Sequence, residues 1–163
     1  MTLEQAIQQI SPPDSHASSQ AARRWDRIAK PLHGLGLLED AVCRIAGVQG
    51  TTRVRIQKRA LAVFCADNGV VREGVTQTGS EVTAQVAANL CHGKTSVSKM
   101  AQVADVDVYP VDMGMNTPVR EPGILDCAVA RGTQDLACGP AMSRAQAVQA
   151  LEHGVSLACR LAK

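Results

Sequence analysis

An unbroken apolar run in the middle of the chain places the strongest constraint on its fold. Residues 60–66 have the sequence ALAVFCA, and the run ends at Asp67-Asn68-Gly69. It is too short for a buried helix, and its lack of polar residues is typical of a parallel strand that is covered on both faces. We therefore predict a buried strand at residues 60–66.

Beyond this strand, the apolar spacing alternates between helical and strand patterns. Thr78 and Glu81 predict a capping box at the start of a helix, which His92-Gly93 is predicted to end. Residues 106–111 predict a second strand and residues 124–130 a third, short one; Ser143 then predicts the N-cap of a last helix. The apolar faces predicted for the three helices are Val82, Val86 and Leu90; Val97, Met100, Ala101 and Ala104; and Val148, Leu151, Val155 and Cys159. This order predicts an α/β fold with parallel strands joined by helical crossovers.

The segment before residue 50 has helical patterns only. Thr2 and Gln5 predict a capping box, and a helix is predicted to run until Pro12-Pro13. A second helix is predicted to begin near Asp14 and to end before Pro31; its apolar stripe is Ala17, Ala21, Trp25 and Ile28. A third is predicted from Leu38, Val42 and Ile45, with its end at Gly47. We predict a small N-terminal helical subdomain at residues 1–50 and an α/β domain from residue 59 to residue 163.

Composition excludes several classes of protein. The net charge is +2 and the chain has one Trp, one Tyr and one Phe, so it offers neither a basic surface nor stacking residues for nucleic acid. No apolar run approaches the roughly 20 residues that a membrane-spanning helix needs, and we expect a cytoplasmic protein without a membrane partner. The 6 cysteines are scattered without a C-x-x-C motif, which predicts reduced thiols in or near the core instead of disulfides or a zinc site.

Both longer strands are predicted to end in an aspartate that is followed closely by glycine. These ends are Asp67-Asn68-Gly69 and Asp112-Met113-Gly114. Ligands of open α/β sheets bind at the carboxyl ends of the strands, but Asp and Gly are also common in turns of no function. The chain has no G-x-G-x-x-G or P-loop motif, and its four histidines show no spacing that predicts a metal site.

Longer stretches of the sequence are more specific than these tripeptides. Residues 66–76, ADNGVVREGVT, with EVTAQ at 81–85 and Asn89, resemble the A-D-H-G-V, E-G-V-S and E-V-T-A-Q blocks of nicotinate-nucleotide:dimethylbenzimidazole phosphoribosyltransferases. Further blocks resemble that family in the same order: KPLHGLGLLE at 30–39, VYPVDMG at 108–114, ARGTQDL at 130–136 and GPAMSR at 139–144. The resemblance covers nearly the whole chain, from Leu3 to Lys163, and implies a parallel Rossmann-like sheet.

The resemblance also implies an activity. The family transfers the phosphoribosyl group from nicotinate mononucleotide to 5,6-dimethylbenzimidazole in the biosynthesis of the lower ligand of cobalamin. It implies a homodimer and no metal or other cofactor. The general base is a Glu that lies, together with the phosphate-binding loop, beyond Lys163 in a family chain of roughly twice this length. The resemblance therefore implies that residues 59–163 form the first half of the family's α/β domain. We expect this polypeptide alone to be inactive.

Five residues are candidates for the substrate site through this resemblance. Thr78 stands where the family has a small hydroxyl residue beside the benzimidazole, and Gln85 and Val86 lie on the helix that lines the same slot. Asp67 is expected to order the Gly-rich loop, and Glu73 is the acid within that loop. The alternatives are that Thr78 is a simple N-cap, that Gln85 is a solvated helix residue and that Glu73 is a surface charge.

Departures from the family pattern concern substrate preference. Asn68 replaces the usual His, and Leu32-His33-Gly34 replaces Pro-Gly-Ser.

Two function classes stay open from the sequence. The chain is either a phosphoribosyltransferase represented by its N-terminal half, or a non-catalytic binding or interaction module derived from the same fold.

Overall fold

The computed structural model describes residues 1–162. Its helices are α1 Leu3–Gln8, α2 Ser15–Asp26, α3 Leu37–Gln49, α4 Glu81–Cys91, α5 Ser96–Val103 and α6 Arg144–Leu161, with a 3-10 helix at Gly69–Glu73. Its strands are β1 Ala60–Ala66, β2 Asp107–Gly114 and β3 Leu125–Asp126. The residues group into two compact units: Gln9–Gln57, and Met1–Gln8 together with the chain from Lys58 onward. The division at residues 50 and 59 that the sequence suggests stays a prediction.

The three strands form one parallel sheet in the order β1-β2-β3. Residues 60–65 of β1 pair in continuous register with residues 107–112 of β2, and the register shifts between Cys65 and Ala66. On the other side of β2, Val111 pairs with Leu125. The prediction of an α/β fold with a parallel sheet and flanking helices is confirmed.

The strand bounds differ from prediction at two of the three strands. β1 covers the predicted residues, whereas β2 continues past residue 111 to Gly114, whose carbonyl accepts hydrogen bonds from the N–H groups of Asp67 and Gly132. The strand predicted at 124–130 was too long, because β3 has 2 residues. The chain turns there: the Ala128 N–H donates to Asp126 Oδ1.

The core between α4 and the sheet consists of small or flexible apolar side chains. Cys65, Ala87, Leu90 and Met115 form a buried cluster, against which Val63 packs. The predicted helix faces were partly wrong. The residues on the predicted apolar faces that are exposed are Ile28, Val86, Met100, Ala104, Leu151 and Cys159, whereas Ala87 and Leu157 are buried. Short alanine side chains allow a helix to approach the sheet closely, so the buried stripe need not follow the largest residues.

Side-chain capping bonds are present at three of the helix starts that the sequence predicts and absent at a fourth. Thr2 and Gln5 form the reciprocal bonds of a capping box at α1, as Ser143 and Gln146 do at α6. The third is the start of α2, described below. The capping box predicted for Thr78 and Glu81 was wrong: the N-cap of α4 is Ser80, which makes no side-chain cap bond. Thr78 instead donates its N–H to Thr76 Oγ1 in a local turn before the helix.

The unit Gln9–Gln57 is a helix pair built on α2 and α3. Asp14 caps α2, because its Oδ1 accepts the N–H groups of His16 and Ala17. Gly47 does not end α3, which continues to Gln49. It lies at a close helix contact instead, since a Cβ there would be 3.2 Å from the carbonyl oxygen of Asp14.

An ion pair closes the loop between α2 and α3. Lys30 Nζ lies 2.8 Å from Glu39 Oε1, which also accepts the N–H of Leu35 at 3.0 Å. The hydrogen bond from the Lys30 ammonium, followed by that from Leu35, lowers the pKa of the Glu39 carboxyl. The ion pair and the Leu35 hydrogen bond therefore tie the loop to the first turn of α3.

The cysteines are free thiols, as predicted, but two are not near the core. Cys65 is buried, Cys43, Cys91 and Cys127 are half-buried, and Cys138 and Cys159 are exposed. Burial, followed by the negative charge of Asp112, raises the pKa of the Cys65 thiol. Reactivity should therefore differ strongly among the six.

We expect iodoacetamide at about pH 8 to label Cys138 and Cys159 well before Cys65, because the thiolate is the reactive form and Cys65 is both buried and harder to ionise. Peptide mass spectrometry over a time course measures the order. Labelling should become uniform in denaturant. Equal rates for Cys65 and Cys138 in the folded chain would contradict the burial described here.

Truncation of Met115 should destabilise the sheet-containing unit, because this side chain has 0% exposure within the core cluster. We expect Met115→Ala to lower the free energy of unfolding by about 2–5 kcal/mol. Met100→Ala is the matched control, since Met100 is 72% exposed and its truncation should change stability little. Denaturant unfolding measures both, and similar losses for the two variants would refute this packing.

Candidate functional site

Two buried carboxylates mark the carboxyl ends of β1 and β2. Asp67 follows β1 directly and Asp112 lies in the last part of β2; they are 4% and 3% exposed. A buried carboxylate is stable only where hydrogen bonds or a positive charge replace water. The partners of these two groups determine how the loops at this edge are arranged.

Asp112 orders the backbone at the end of β2. Its Oδ1 accepts the N–H groups of Gly114 at 2.8 Å and Met115 at 2.9 Å. Its Oδ2 lies 2.8 Å from Arg131 Nη1, which also donates to the carbonyl of Met115. The guanidinium balances the buried charge and fastens the loop after β3 to the end of β2.

Asp67 connects the end of β1 to two other segments. Its Oδ2 accepts the N–H of Asn116 at 2.7 Å, and its main-chain carbonyl accepts the N–H of Thr133 at 3.1 Å. We expected Asp67 to order the Gly-rich loop. The carboxylate holds the turn after β2 instead, and the Gly-rich loop is attached separately, by a bond from the Gly69 N–H to Thr133 Oγ1.

Glycine is required at two of these contacts because backbones approach closely. A Cβ on Gly69 would lie 2.5 Å from the carbonyl carbon of Gln134, and one on Gly114 would lie 2.6 Å from the carbonyl oxygen of Ala130. Gly114 also has a φ of +138°, which residues other than glycine rarely adopt. The Asp-x-Gly endings therefore allow the strand ends and the 130–134 loop to pack together.

Asp67 separates two hollows at this edge of the sheet. The first, which we call the β1 groove, has a volume of about 430 Å³ and lies between β1, the loop before α4 and α4 itself. The second has a volume of about 240 Å³ and lies between the end of β2, the 129–134 loop and the start of α6; Arg131 and Gln146 contribute to its wall.

The β1 groove combines apolar walls with hydroxyl groups. Its wall residues are Val63, Phe64, Cys65, Ala66, Asp67, Asn68, Val71, Thr76, Thr78, Gly79, Ser80, Val82, Thr83, Val86 and Leu90. Such a surface suits a flat apolar ring that makes one or two hydrogen bonds. Among these wall residues Asp67 is the one carboxylate, and it already accepts the Asn116 N–H.

The structure brings three of the five candidate residues together. Asp67, Thr78 and Val86 all line the β1 groove. Gln85 is exposed on α4 and is not among the groove residues, and Glu73 lies beside a different hollow near Cys138 and Pro140. The assignment of these residues to substrate binding stays a prediction.

One group of side chains within residues 1–162 has the spacing of metal ligands. The ligand atoms of Glu73, Asp135 and Cys138 lie within 4.8 Å of one another. Asp135 is buried, but its Oδ1 accepts the Ala137 N–H, and the other two side chains are exposed. Exposed acidic groups of this kind occur widely without a metal ion, so the group supports no metal assignment.

Comparison with known proteins gives the chain a family. The sequence profile of a family described as "Phosphoribosyltransferase" matches residues 10–163. The nicotinate-nucleotide–dimethylbenzimidazole phosphoribosyltransferase of Geobacter metallireducens is 40% identical over 158 residues, which are 96% of this chain and 45% of that protein. The enzyme of the same name from Ruminiclostridium cellulolyticum is 34% identical and overlaps 99% of this chain and 46% of its own length.

The chain belongs to the nicotinate-nucleotide–dimethylbenzimidazole phosphoribosyltransferase family. A crystal structure of such a phosphoribosyltransferase from Thermus thermophilus superposes with a TM-score of 0.85 at 38% identity, over 91% of this chain and 45% of that one. This chain therefore spans about half the length of the phosphoribosyltransferases that it matches. Within residues 1–162, no helix is long and apolar enough to cross a membrane.

Sequence reasoning missed the contacts that hold the carboxyl ends of β1 and β2 and the 130–134 loop together. The motif blocks included Arg131 and Thr133, but no role was predicted for either residue. Their partners Asp112 and Asp67 lie 19 and 66 residues away along the chain, so the pairing is a product of the fold. The motif ARGTQDL was the one signal that could have identified them.

We expect Gly69→Ala to disrupt this edge, because the added Cβ would push the Gly-rich loop away from the backbone of Gln134. The cost should be about 1–3 kcal/mol of stability. Gly139→Ala is the matched control, since a Cβ there meets no atom within 4 Å. Thermal unfolding of both variants provides the measurement, and a Gly69→Ala chain as stable as Gly139→Ala would show that the two loops are not in contact.

Proposed function

We propose that this chain forms the acceptor-base side of a phosphoribosyltransferase that converts nicotinate mononucleotide and 5,6-dimethylbenzimidazole into α-ribazole 5′-phosphate and nicotinate, a step in the biosynthesis of the cobalamin lower ligand. The observation that carries the proposal is the meeting of Asp67, Thr78 and Val86 in one groove at the carboxyl end of β1. Family membership supports the reaction class, and ligands of open α/β sheets bind at this edge.

The reaction requires a pocket for a flat ring and a base. One ring nitrogen of dimethylbenzimidazole attacks the anomeric carbon, the bond from that carbon to the nicotinate nitrogen breaks, and its electron pair leaves with nicotinate. The proton on the other ring nitrogen must pass to a base. The described groove supplies the pocket, whereas its one carboxylate is engaged in a structural hydrogen bond.

The groove residues would divide the binding of the acceptor between them. Phe64 and Val86, both partly exposed, offer apolar surface to the ring faces, because burying such surface contributes about 25 cal/mol per Å². The Thr78 hydroxyl is free of a capping bond to α4, which leaves it available to a ring nitrogen. Asp67 acts indirectly, since its bonds set the position of the groove's end.

The base and the phosphate site belong, in this proposal, to the part of the family fold that this chain does not match. The resemblance to the family implies a general-base Glu and a phosphate loop in that part. Glu73 and Gln85 lie outside the β1 groove and would contribute only if they meet substrate in the complete site. No metal is needed for the reaction, and a homodimer stays a prediction.

Binding of the acceptor alone is the first test. We expect 5,6-dimethylbenzimidazole to shift the amide NMR signals of Thr78 and Val86, and Val86→Asp to weaken binding about tenfold or more, because an anion would border the apolar slot. The control is Val103→Asp, since Val103 is 91% exposed on α5 and does not line the groove. Equal affinity of the two variants would place the acceptor elsewhere.

Turnover is the second test and separates the two function classes. We expect the 163-residue polypeptide alone to release no measurable nicotinate from nicotinate mononucleotide and dimethylbenzimidazole. Release should appear when the unmatched part of the Geobacter metallireducens relative is added or fused. Acceptor binding without turnover in any such mixture would favour a non-catalytic binding module, and full activity of the polypeptide alone would show that the base is within it.

A further inference from the structure

Asn68 lies where the two hollows at the carboxyl edge of the sheet meet. Of the described residues, Ala66, Asp67 and Asn68 line both the β1 groove and the second hollow. The Asp67 carboxylate already accepts the Asn116 N–H, whereas Asn68 is exposed and its side chain makes no capping bond to the 3-10 helix that follows. Asn68 is therefore the residue at this boundary whose side-chain amide is open to a ligand.

Thr133 holds Asn68 from both sides. The Thr133 N–H donates to the carbonyl of Asp67 and its Oγ1 accepts the N–H of Gly69, each at 3.1 Å. The Thr133 hydroxyl itself donates to the carbonyl of Gln134 at 3.0 Å, which leaves a lone pair of Oγ1 for Gly69. Asn68 is the single residue between these two bonded positions, so its side chain extends from a restrained backbone.

The proposed reaction determines which substrate group must reach this boundary. During the transfer, the anomeric carbon lies between the attacking ring nitrogen and the departing nicotinate, so the ribose adjoins the acceptor. With the acceptor in the β1 groove, the neighbouring second hollow offers a cation to the anionic nucleotide. Its Arg131 side chain is 45% exposed and bonds Asp112 through one of its two terminal nitrogens. The ribose of the donor would then lie beside Asn68.

We propose that the Asn68 amide hydrogen-bonds the 2′-hydroxyl of a ribonucleotide donor, and that Thr133 is the positioning residue that keeps the amide in place. This contact rests on the proposed function, because that function supplies the donor. The 2′-carbon is bonded to the anomeric carbon, so its hydroxyl is the ribose hydroxyl nearest to the reacting centre. As positive charge develops on the anomeric carbon, the 2′-hydroxyl becomes a stronger donor, and its bond to Asn68 Oδ1 strengthens in the transition state.

The acceptor ring is the other ligand that Asn68 borders. The β1 groove offers the ring hydroxyl residues of its own, among them Thr78, Ser80 and Thr83, and these three do not line the second hollow. An acceptor in the groove therefore has polar partners without Asn68, which is left for the group that crosses the boundary. Measuring acceptor affinity separately from turnover distinguishes the two contacts.

The test uses this chain fused to the part of the Geobacter metallireducens enzyme outside its match to this chain, with nicotinate mononucleotide and its 2′-deoxy analogue as donors. We expect Asn68→Leu to lower kcat/KM about tenfold or more for the first donor and less than about twofold for the second, which lacks the partner of the amide. The affinity for 5,6-dimethylbenzimidazole should change less than about twofold. Asn89→Leu is the matched control and should alter none of these values, since Asn89 is exposed on α4 and lines neither hollow.

The positioning role of Thr133 has a readout that needs no turnover. In the 163-residue chain, Thr133→Val should speed hydrogen exchange of the Gly69 amide about tenfold or more, because that amide loses its acceptor. In the fusion, Thr133→Val should share the loss that depends on the 2′-hydroxyl. Thr133→Ser keeps the oxygen and should restore both properties.

Three results would overturn the proposal: unchanged turnover in Asn68→Leu, an equal loss of kcat/KM with both donors, or a loss of acceptor affinity as large as the loss of kcat/KM. No turnover by the unmodified fusion would instead contradict the proposed function, and the contact with the 2′-hydroxyl together with it.

Discussion

The hydrogen bonds of Asp67 are the interaction on which the functional edge of this protein depends. One residue donates its N–H to Gly114, accepts the N–H of Thr133 on its carbonyl and accepts the N–H of Asn116 on its carboxylate. It thereby joins the ends of β1 and β2 to the loop after β3. Asp67 lines both the β1 groove and the second hollow, so these three bonds fix one wall that the two hollows share.

Small residues are the second constraint, because the elements of this chain meet at short distances. Ala87 and Ala46 have 0% exposure, although neither was among the residues from which the helix faces were predicted. Gly47 similarly lies inside α3 where the helix meets the backbone of Asp14. Apolar spacing identifies that a helix is amphipathic, but the exact buried stripe depends on which small side chains allow close packing.

The sequence was informative where the structure is local and less so where it depends on distant contacts. The strand at 60–66 and the caps at Thr2 and Ser143 were predicted because each follows from neighbouring residues. The cap of α4 and the length of β3 were missed: Ser80 makes no side-chain cap bond, and the chain turns at Asp126, whose Oδ1 accepts the Ala128 N–H. The motif resemblance singled out Asp67, Thr78 and Val86, which line one groove, whereas the ion pair of Asp112 with Arg131 could be recognised only from the fold.

The hydrogen bonds of the two buried carboxylates bear directly on chemistry. Asp112 has two backbone N–H partners on one oxygen and a guanidinium on the other, so both of its oxygens are already engaged. Asp67 also accepts a short bond, from the N–H of Asn116. A general base must have an oxygen within hydrogen-bond reach of the proton that it takes. In the proposed function, these two carboxylates therefore order the loops around the acceptor, and the general base is a carboxylate from the part of the family fold that this chain does not match.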